Sequence, residues 1–303
     1  ANIPKRELRP TQFRDFIYDK IIVANTIKPV ETLKKLANYN TLMTYDNPEE
    51  LVKIKAHCPD AGLICRIRVQ NVGSMVELSS KFGVEPGDAA NLIEKAFKMG
   101  LIVEGLSFHV GSQCVNIDNY INALEASARI FKEVGARGYK MRLLNIGGGF
   151  PVPYDDNVPD FPVFARKLRQ EIDRLFPKAV EVVAEPGRFI AATAATLVVE
   201  IVGKAQRDGK MVYYVNDGVY GTLSGVIFDH CQYHFHAFKK GEKNLSAVVG
   251  PTCDALDTVS TSENLPELNI GDLLYVKNIG AYSNASATNF NGFPKAKIIN
   301  INI

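Results

Sequence analysis

The sequence of 303 residues lacks the features of a secreted, metal-binding or membrane protein. Its five cysteines are scattered and show no Cys-x-x-Cys spacing, which argues against a zinc site and fits a reduced cytosolic protein. Apolar stretches are interrupted within about ten residues, too short to cross a bilayer, and the N-terminus lacks the apolar core of a signal peptide. Lysine and arginine (35) nearly balance aspartate and glutamate (33), so no basic surface for nucleic acid is indicated. We therefore expect a cytosolic globular protein that binds neither nucleic acid nor a membrane.

Strand and helix patterns alternate from residue 19 to about residue 195, which predicts a parallel sheet. A closed (β/α)8 barrel needs eight strands, whereas this region contains six, so we infer that the first two βα units are missing from the sequence near 17–19. The predicted strands are Ile21–Asn25, Thr41–Tyr45, Leu63–Val69, Val103–Val110, Met141–Ile146 and Val180–Ala184, with helices at 47–56, 86–99, 117–134 and 161–176.

After residue 195 the pattern changes to short β segments separated by Gly, Asn and Asp. Asp208-Gly209 is a hairpin signal, and further strands are predicted at 196–207, 211–215, 245–249, 272–277 and 296–303. We therefore predict an α/β barrel domain at 19–195 and a mostly antiparallel β-rich domain formed by 1–18 and 196–303.

Three apolar runs (103–112, 141–149 and 180–188) end in residues suited to an anionic, ring-bearing cofactor. Barrel enzymes build their sites at the carboxyl ends of such strands. The ends supply an imidazole, a hydroxyl, bare backbone amides, a carboxylate and a guanidinium, from His109, Ser112, Gly147, Gly148, Gly149, Glu185 and Arg188.

Each of these groups has a structural as well as a functional interpretation. The three glycines suit either a phosphate or a tight turn with positive φ, and Arg188 after the next strand favours the phosphate. Glu185 pairs either with Arg188 or with a protonated pyridine nitrogen of a ligand. His109 is either a satisfied core residue or, beside the glycine and serine that follow it, a ring that packs on a flat ligand.

The second region adds a cysteine in a polar loop, Cys253 within 250–257. A free cysteine is usually a small buried hydrophobe, but a place beside Asp254 suits chemistry, and the two interpretations stay open. Asp229 and Asp254 could bind a basic substrate tail, and Tyr282 could donate a hydroxyl to a phosphate. The histidines at 230, 234 and 236 lack a further ligand, so no metal site is predicted.

Together these segments resemble the eukaryotic-type ornithine decarboxylases and their bacterial lysine/ornithine decarboxylase relatives, which are pyridoxal-phosphate (PLP) enzymes with an alanine-racemase-like barrel. The resemblance runs from about residue 19 to the C-terminus. It rests on Ser-Lys-Phe-Gly (80–83), Ser-Phe-His-Val-Gly-Ser (107–112), Ile-Gly-Gly-Gly-Phe-Pro (146–151), Ala-Glu-Pro-Gly-Arg (184–188), Tyr-Val-Asn-Asp-Gly-Val-Tyr-Gly (214–221), Gly-Pro-Thr-Cys-Asp (250–254), Gly-Ala-Tyr (280–282) and Phe-Asn-Gly-Phe (290–293).

The resemblance implies a role for each candidate residue. His109 would stack on the PLP ring and Glu185 would pair with its nitrogen. The phosphate would be held by Ser112, Gly147, Gly148, Gly149, Arg188 and Tyr282. Asp229 and Asp254 would bind the distal amine of the substrate, and Cys253 would protonate the carbon that loses CO2.

The family's active sites are completed across a homodimer. By resemblance, Cys253, Asp254 and Phe290 would therefore serve the partner's cofactor, and Lys81 would pair with Asp257 across the interface.

One feature departs from the family. Its Schiff-base lysine follows the first barrel strand in a Tyr-Ala-(Val/Met/Leu)-Lys sequence, which does not occur here, and the strand Ile21–Asn25 matches the third barrel strand. Lys20 and Lys28 flank the wrong strand to replace that lysine. Either the segment belongs to the protein but not to this sequence, or the chain has lost it. We favour the first, because two missing strands would leave open sheet edges.

The predicted function is PLP-dependent decarboxylation of ornithine, lysine or both to putrescine or cadaverine, in polyamine biosynthesis. One alternative is a non-catalytic paralogue that regulates polyamine synthesis by binding a protein. A further alternative is a diaminopimelate-type decarboxylase. The sequence does not decide between ornithine and lysine.

Overall fold

The computed structural model describes residues 21–70, 81–154 and 158–301. The described residues fall into two compact units. The N-terminal unit runs to Gly149 and includes Pro159–Glu185, while the C-terminal unit comprises the described part of Phe150–Val158 and the chain from Pro186 on. The predicted domain limits stay a prediction, because residues 1–20 lie outside the described chain.

The N-terminal unit contains a six-stranded parallel sheet with its strands in sequential order. The sequence predicted all six strands, which are β1 (Ile22–Val23), β2 (Leu42–Tyr45), β3 (Gly62–Arg66), β4 (Ile102–Ser107), β5 (Leu143–Asn145) and β6 (Glu181–Val183). The side chains of β2 are buried on both faces, as is usual when helices cover a parallel sheet. Consecutive parallel strands in this order form part of an α/β barrel, which confirms the predicted fold class.

Five helices alternate with these strands: α1 (Val30–Leu36), α2 (Pro48–His57), α3 (Pro86–Lys98), α4 (Ile117–Ala136) and α5 (Phe161–Leu175). Side-chain caps define two of their starts. Asn47 accepts a hydrogen bond from the backbone N–H of Glu50, and Asn116 accepts one from that of Asp118. The limits of α2 to α5 agree with the four predicted helices to within about two residues, whereas α1 was not predicted.

A buried ion pair joins the loop that follows β1 to helix α2. Lys28 and Glu50 are both 1% exposed, with Nζ 2.9 Å from Oε1. The same ammonium donates hydrogen bonds to the carbonyl groups of Asn25, Thr26 and Thr44. Burial lowers the pKa of Lys28, and the nearby Glu50 opposes that effect. Lys28 therefore stabilises this loop and is not a free amine.

The C-terminal unit contains the helices α6 (Gly187–Ala191) and α7 (Gly225–Phe228) and the strands β7 (Leu197–Arg207), β8 (Lys210–Val215), β9 (His236–Ala237), β10 (Lys243–Val249), β11 (Thr258–Pro266) and β12 (Leu273–Val276). The strands form a second six-stranded sheet in the order β11-β10-β8-β7-β12-β9. All of its pairings are antiparallel except that of β8 with β10, which confirms the mostly antiparallel prediction. Asp208 and Gly209 have φ values of 51° and 77° and form the predicted hairpin turn.

The strand predicted at 296–303 is wrong over its described part, because residues 296–301 form no strand. Ile298, Ile299 and Ile301 are each at least 70% exposed. Isoleucine favours strands chiefly through packing against neighbours, and these side chains have little packing. None of the described helices is both long and apolar enough to cross a membrane.

Candidate active site

Three of the predicted residues meet at the carboxyl ends of β4, β5 and β6, which are adjacent in the sheet. His109 follows β4, Gly148 follows β5 and Glu185 follows β6. A Cβ atom on Gly148 would lie 3.2 Å from the His109 Nε2 atom and 2.5 Å from the Glu185 carbonyl oxygen. Only glycine fits between these two residues, so the three form one compact group.

A residue that the sequence did not single out orients Glu185. Asn145 is fully buried at the end of β5. Its Nδ2 donates a hydrogen bond of 2.5 Å to Glu185 Oε1, while its Oδ1 accepts one of 2.9 Å from the Gly147 N–H. The Glu185 N–H in turn donates to the Gly147 carbonyl. The Glu185 carboxylate is therefore fixed to the glycine turn. Asn145 could have been noticed in the sequence as a polar residue at the end of an apolar strand.

His109 carries a neutral ring. Its Nδ1 accepts a hydrogen bond of 3.1 Å from the Gly111 N–H, which places the proton of the neutral imidazole on Nε2. Burial, and then the positive charge of Arg66 at the end of β3, lower the pKa of His109 from 6.5 to about 4. A neutral ring near physiological pH suits packing against a flat ligand better than proton transfer.

The backbone conformation confirms the tight-turn interpretation of the glycines, and their binding of a phosphate stays a prediction. Gly147 and Gly149 have φ values of 64° and 96°, and a Cβ on Gly147 would lie 2.2 Å from the Phe108 carbonyl oxygen. The turn therefore requires glycine for its backbone. Within 21–70, 81–154 and 158–301, the N–H groups of Gly148 and Gly149 donate to no protein acceptor. Free N–H groups in such a turn can bind an anion, and the half-buried Ser112 lies in the neighbouring loop between β4 and α4.

In the C-terminal unit, Arg188 pairs with Asp229, although the sequence assigned these residues to different ligands. Arg188 is 5% exposed, and its Nη2 lies 2.6 Å from Asp229 Oδ2. Tyr154 accepts a weaker hydrogen bond of 3.3 Å, and the Tyr282 ring centroid lies 4.7 Å from the guanidinium carbon. Burial lowers the pKa of Arg188, but the bonds to Asp229 and Tyr154 outweigh it and raise the pKa overall. The guanidinium is therefore always charged.

Tyr282 is mostly exposed and has a left-handed backbone, with φ of 52°. Such a conformation is uncommon for a bulky residue and occurs more often at functional sites. Its contact with a phosphate stays a prediction.

Cys253 and Asp254 project from the loop 250–257 of the C-terminal unit. Cys253 is exposed, so its interpretation as a buried hydrophobe is wrong. The Asn291 Nδ2 donates a hydrogen bond of 2.9 Å to its sulfur. The Tyr220 hydroxyl donates to the Asp254 carboxylate and, together with the Leu256 N–H, lowers the pKa of Asp254. Asp254 is therefore ionised at neutral pH.

Phe290 stacks on Tyr220, with ring centroids 4.3 Å apart. It belongs to the segment that also carries Asn291, which lies beside Cys253 through the hydrogen bond to its sulfur. Phe290 therefore lies close to the loop, and its role at the partner's cofactor stays a prediction; the sequence analysis assigned no role to Tyr220 or Asn291.

The predicted interface residues have different surroundings. Asp257 is 2% exposed, and its carboxylate accepts hydrogen bonds from the N–H groups of Val219 and Thr252 at 2.8 and 3.0 Å. Lys81 is exposed, with its ammonium 5.1 Å from the Phe82 ring centroid. Their pairing across a dimer stays a prediction.

Of the three histidines considered as metal ligands, His236 stacks on Tyr275, with ring centroids 4.9 Å apart. The described residues contain no group of three or more His, Cys, Asp or Glu side chains that could hold a metal ion.

A family model for the pyridoxal binding domain of pyridoxal-dependent decarboxylases matches residues 4–192. The lysine/ornithine decarboxylase of Selenomonas ruminantium is 39% identical, over 92% of this chain and 72% of that protein. The chain belongs to the pyridoxal-dependent decarboxylase family. This confirms the resemblance inferred from the motifs. The chain is by family a PLP-dependent amino-acid decarboxylase, and its cofactor is pyridoxal 5′-phosphate.

Other members of the family are similar over most of the chain. Antizyme inhibitor 2 of Xenopus laevis is 36% identical, over 97% of this chain and 68% of that protein. The lysine/ornithine decarboxylase of Vibrio vulnificus complexed with cadaverine is 38% identical, with a TM-score of 0.87 over 94% of this chain and 77% of that chain. The arginine decarboxylase of Paramecium bursaria Chlorella virus bound to agmatine is 34% identical, with a TM-score of 0.85 over 91% and 76%.

Proposed function

We propose that the protein decarboxylates ornithine or lysine to a diamine, with PLP at the ends of β4, β5 and β6. The observation that carries the proposal is the Glu185 carboxylate, which Asn145 holds next to the neutral ring of His109. A fixed carboxylate beside a flat, uncharged ring suits a protonated pyridine nitrogen. The basic substrates follow from relatives that bind cadaverine, putrescine or agmatine.

The residues of the N-terminal unit fit the cofactor in the chemistry they offer. Glu185 would keep the pyridine nitrogen protonated, His109 would pack on the ring face, and the N–H groups of Gly148 and Gly149 would bind the phosphate. When bound, PLP supplies an electron-poor ring that accepts the electrons released as CO2 leaves. Arg188 and Tyr282 are the proposed phosphate ligands of the C-terminal unit.

The loop 250–257 would supply the groups that act on the substrate. Asp254, ionised at neutral pH, would bind the distal ammonium group, with Asp229 as a second carboxylate. The Cys253 thiol would donate its proton to the carbon that loses CO2, and the sulfur would keep the electron pair. Both residues are accessible in the single chain, which supports a homodimer in which each loop serves the partner's cofactor.

Replacing Glu185 by glutamine tests the cofactor site. The amide keeps the shape of the side chain but cannot hold a positive nitrogen, so CO2 release from ornithine or lysine should fall at least about a hundredfold. Glu181→Gln, at an exposed position on the strand that precedes Glu185, is the control and should retain the original rate. Equal rates for the two variants would refute the site.

The substrate class is tested with ornithine, lysine, arginine and diaminopimelate. Turnover of ornithine or lysine, with putrescine or cadaverine as product, is the expected outcome. Turnover of diaminopimelate alone would refute the assignment and favour the diaminopimelate-type alternative.

A second candidate is a non-catalytic relative that regulates polyamine synthesis by binding a protein. One observation favours it, the similarity to antizyme inhibitor 2. The intact mass of the protein made from its complete gene separates the candidates. A mass well above 33.4 kDa, with a Schiff-base absorption band after addition of PLP, would refute the non-catalytic candidate. A mass of 33.4 kDa without the band would refute the enzyme.

A further inference from the structure

We infer that Tyr220 and Asn291 are positioning residues that fix the orientations of the Asp254 carboxylate and the Cys253 thiol. The inference rests on the proposed function of the loop 250–257 and assigns a role to two residues outside that loop. All four side chains belong to the C-terminal unit. They join three segments of the chain, 214–221, 250–257 and 288–293.

Contacts of both its ring and its backbone fix the position of Tyr220. Its ring stacks on Phe290 at an interplanar angle of 28°. Its carbonyl oxygen accepts hydrogen bonds from the Thr288 N–H at 2.9 Å and from the Thr288 hydroxyl at 3.0 Å. A tyrosine fixed at ring and backbone presents its hydroxyl in one direction, and that hydroxyl donates to Asp254.

Asp254 is then limited to one orientation, because its second oxygen accepts a hydrogen bond from the Leu256 N–H. A carboxylate fixed at both oxygens does not need to be ordered when a cationic substrate binds. Preorganisation of this kind improves affinity by reducing the entropy lost on binding. Tyr220 should therefore act on substrate affinity rather than on the chemical step.

Asn291 acts on the sulfur in the same way. Its backbone is left-handed, with φ of 53° and ψ of 18°, and this conformation accompanies the 2.9 Å hydrogen bond from its amide to Cys253. An exposed cysteine can otherwise rotate among three staggered rotamers. The hydrogen bond selects one, and an N–H donor also stabilises the sulfur when it carries a negative charge.

That charge arises in the proposed proton transfer. The S–H bond breaks, a C–H bond forms at the carbon that lost CO2, and the electron pair stays on sulfur. Water then returns a proton to the thiolate. Asn291 should lower the barrier to this step, because its N–H bond to sulfur strengthens as the charge develops.

Tyr220→Phe tests the first half, since it keeps the ring and its stacking but removes the hydroxyl. KM for the basic amino acid should rise about tenfold, while kcat changes less than about twofold. Tyr214→Phe is the matched control. The Tyr214 hydroxyl also forms an exposed hydrogen bond, with Arg207, but lies outside this group, so the variant should leave both constants unchanged.

Asn291→Gly tests the second half, because glycine accepts the left-handed backbone and lacks the amide. The readout is alkylation by iodoacetamide, measured without cofactor or substrate. Of the five cysteines, all of which the structure describes, Cys253 is exposed and the others are buried, so the rapid reaction reports on Cys253. Asn278→Gly is the matched control, since Asn278 is also left-handed, with φ of 58°, and donates its amide elsewhere.

The pH–rate profile separates a hydrogen bond to sulfur from simple accessibility. Loss of the N–H donor should raise the pKa of the Cys253 thiol. Near neutral pH this should lower the thiolate fraction about tenfold and raise the nucleophilicity of the thiolate about threefold, so alkylation should slow about threefold. At high pH, where the sulfur is fully ionised, the variant should react faster, so the two profiles should cross. Better accessibility alone would raise the rate at every pH. Asn291→Asp, which has the same shape without the donor, should also react more slowly near neutral pH.

The outcomes distinguish the inference from the function on which it rests. If Cys253→Ala lowers kcat and Asp254→Asn raises KM, but Tyr220→Phe and Asn291→Gly behave as their controls, the positioning roles are overturned. If Cys253→Ala and Asp254→Asn themselves leave kcat and KM unchanged, the proposed role of the loop is wrong. A loss of thermal stability in either positioning variant, larger than in its control, would indicate a structural role instead.

Discussion

Acidification should destabilise the protein through His109. The folded state lowers the pKa of its imidazole from 6.5 to about 4, first because the ring is buried and then because Arg66 is positively charged. The unfolded chain therefore takes up a proton at a higher pH than the folded chain, and the free energy of unfolding falls as the pH decreases. The interval from 6.5 to about 4, at 1.36 kcal/mol per pH unit, corresponds to about 3 kcal/mol. This contribution is complete above pH 6.5 and lost below pH 4.

Urea unfolding at pH values between 7.5 and 4 measures this effect. The chain contains no tryptophan, so far-ultraviolet circular dichroism is the suitable signal. His109→Asn is the reference, because its Oδ1 can accept the hydrogen bond from the Gly111 N–H and does not titrate. Carboxylates titrate in both proteins, so their effect cancels in the difference between the two free energies. That difference should fall by about 3 kcal/mol from pH 7.5 to 4; a constant difference would refute the reasoning.

Three further substitutions should lower the free energy of unfolding in the same assay. Gly148→Ala should cost about 3 kcal/mol, because the added Cβ overlaps a backbone carbonyl, whereas Gly135→Ala, which meets nothing within 4 Å in α4, should stabilise by up to about 1 kcal/mol. Lys28→Met should cost about 3 kcal/mol, because it removes the buried one of the two ammonium groups paired with Glu50 and leaves three backbone carbonyl groups without that donor, whereas Lys34→Met at an exposed pair should cost under about 0.5 kcal/mol. Asp229→Ala should cost about 3 kcal/mol by leaving a buried guanidinium unpaired, and less when that arginine is also replaced by methionine. A loss under about 1 kcal/mol in any of the three would contradict the packing or pairing behind it.

The parallel sheet could be predicted because its central strands, β2 to β5, are mostly buried on both faces. Such strands are continuous apolar runs bounded by turn residues, and all six were found. The antiparallel sheet was predicted less well. The strand β11 (Thr258–Pro266) is largely polar and pairs with β10, while the apolar segment 296–301 forms no strand. Pairing partners decide such segments, and a single segment does not reveal its partner.

Some residues of the site could be predicted from the sequence, whereas others could not. His109, Gly148 and Glu185 could be grouped in advance, because the carboxyl ends of neighbouring parallel strands lie at one edge of a sheet. The hydrogen bond from Asn145 to Glu185 and the ion pair of Arg188 with residue 229 join positions 40 and 41 residues apart. Nothing in the local pattern specifies them, because they depend on which side chains meet after folding.

The pairing of Cys253 with Asn291 bears on the choice between an enzyme and a non-catalytic relative. A left-handed backbone at a residue other than glycine costs about 1 kcal/mol, and an exposed hydrogen bond to sulfur returns no more than that. Folding therefore gains nothing from holding this sulfur in one rotamer. Proton donation benefits, because the S–H bond must point at the substrate carbon and the thiolate that forms must be stabilised. An arrangement that is neutral for stability but useful for proton transfer favours the decarboxylase over a chain that only binds another protein.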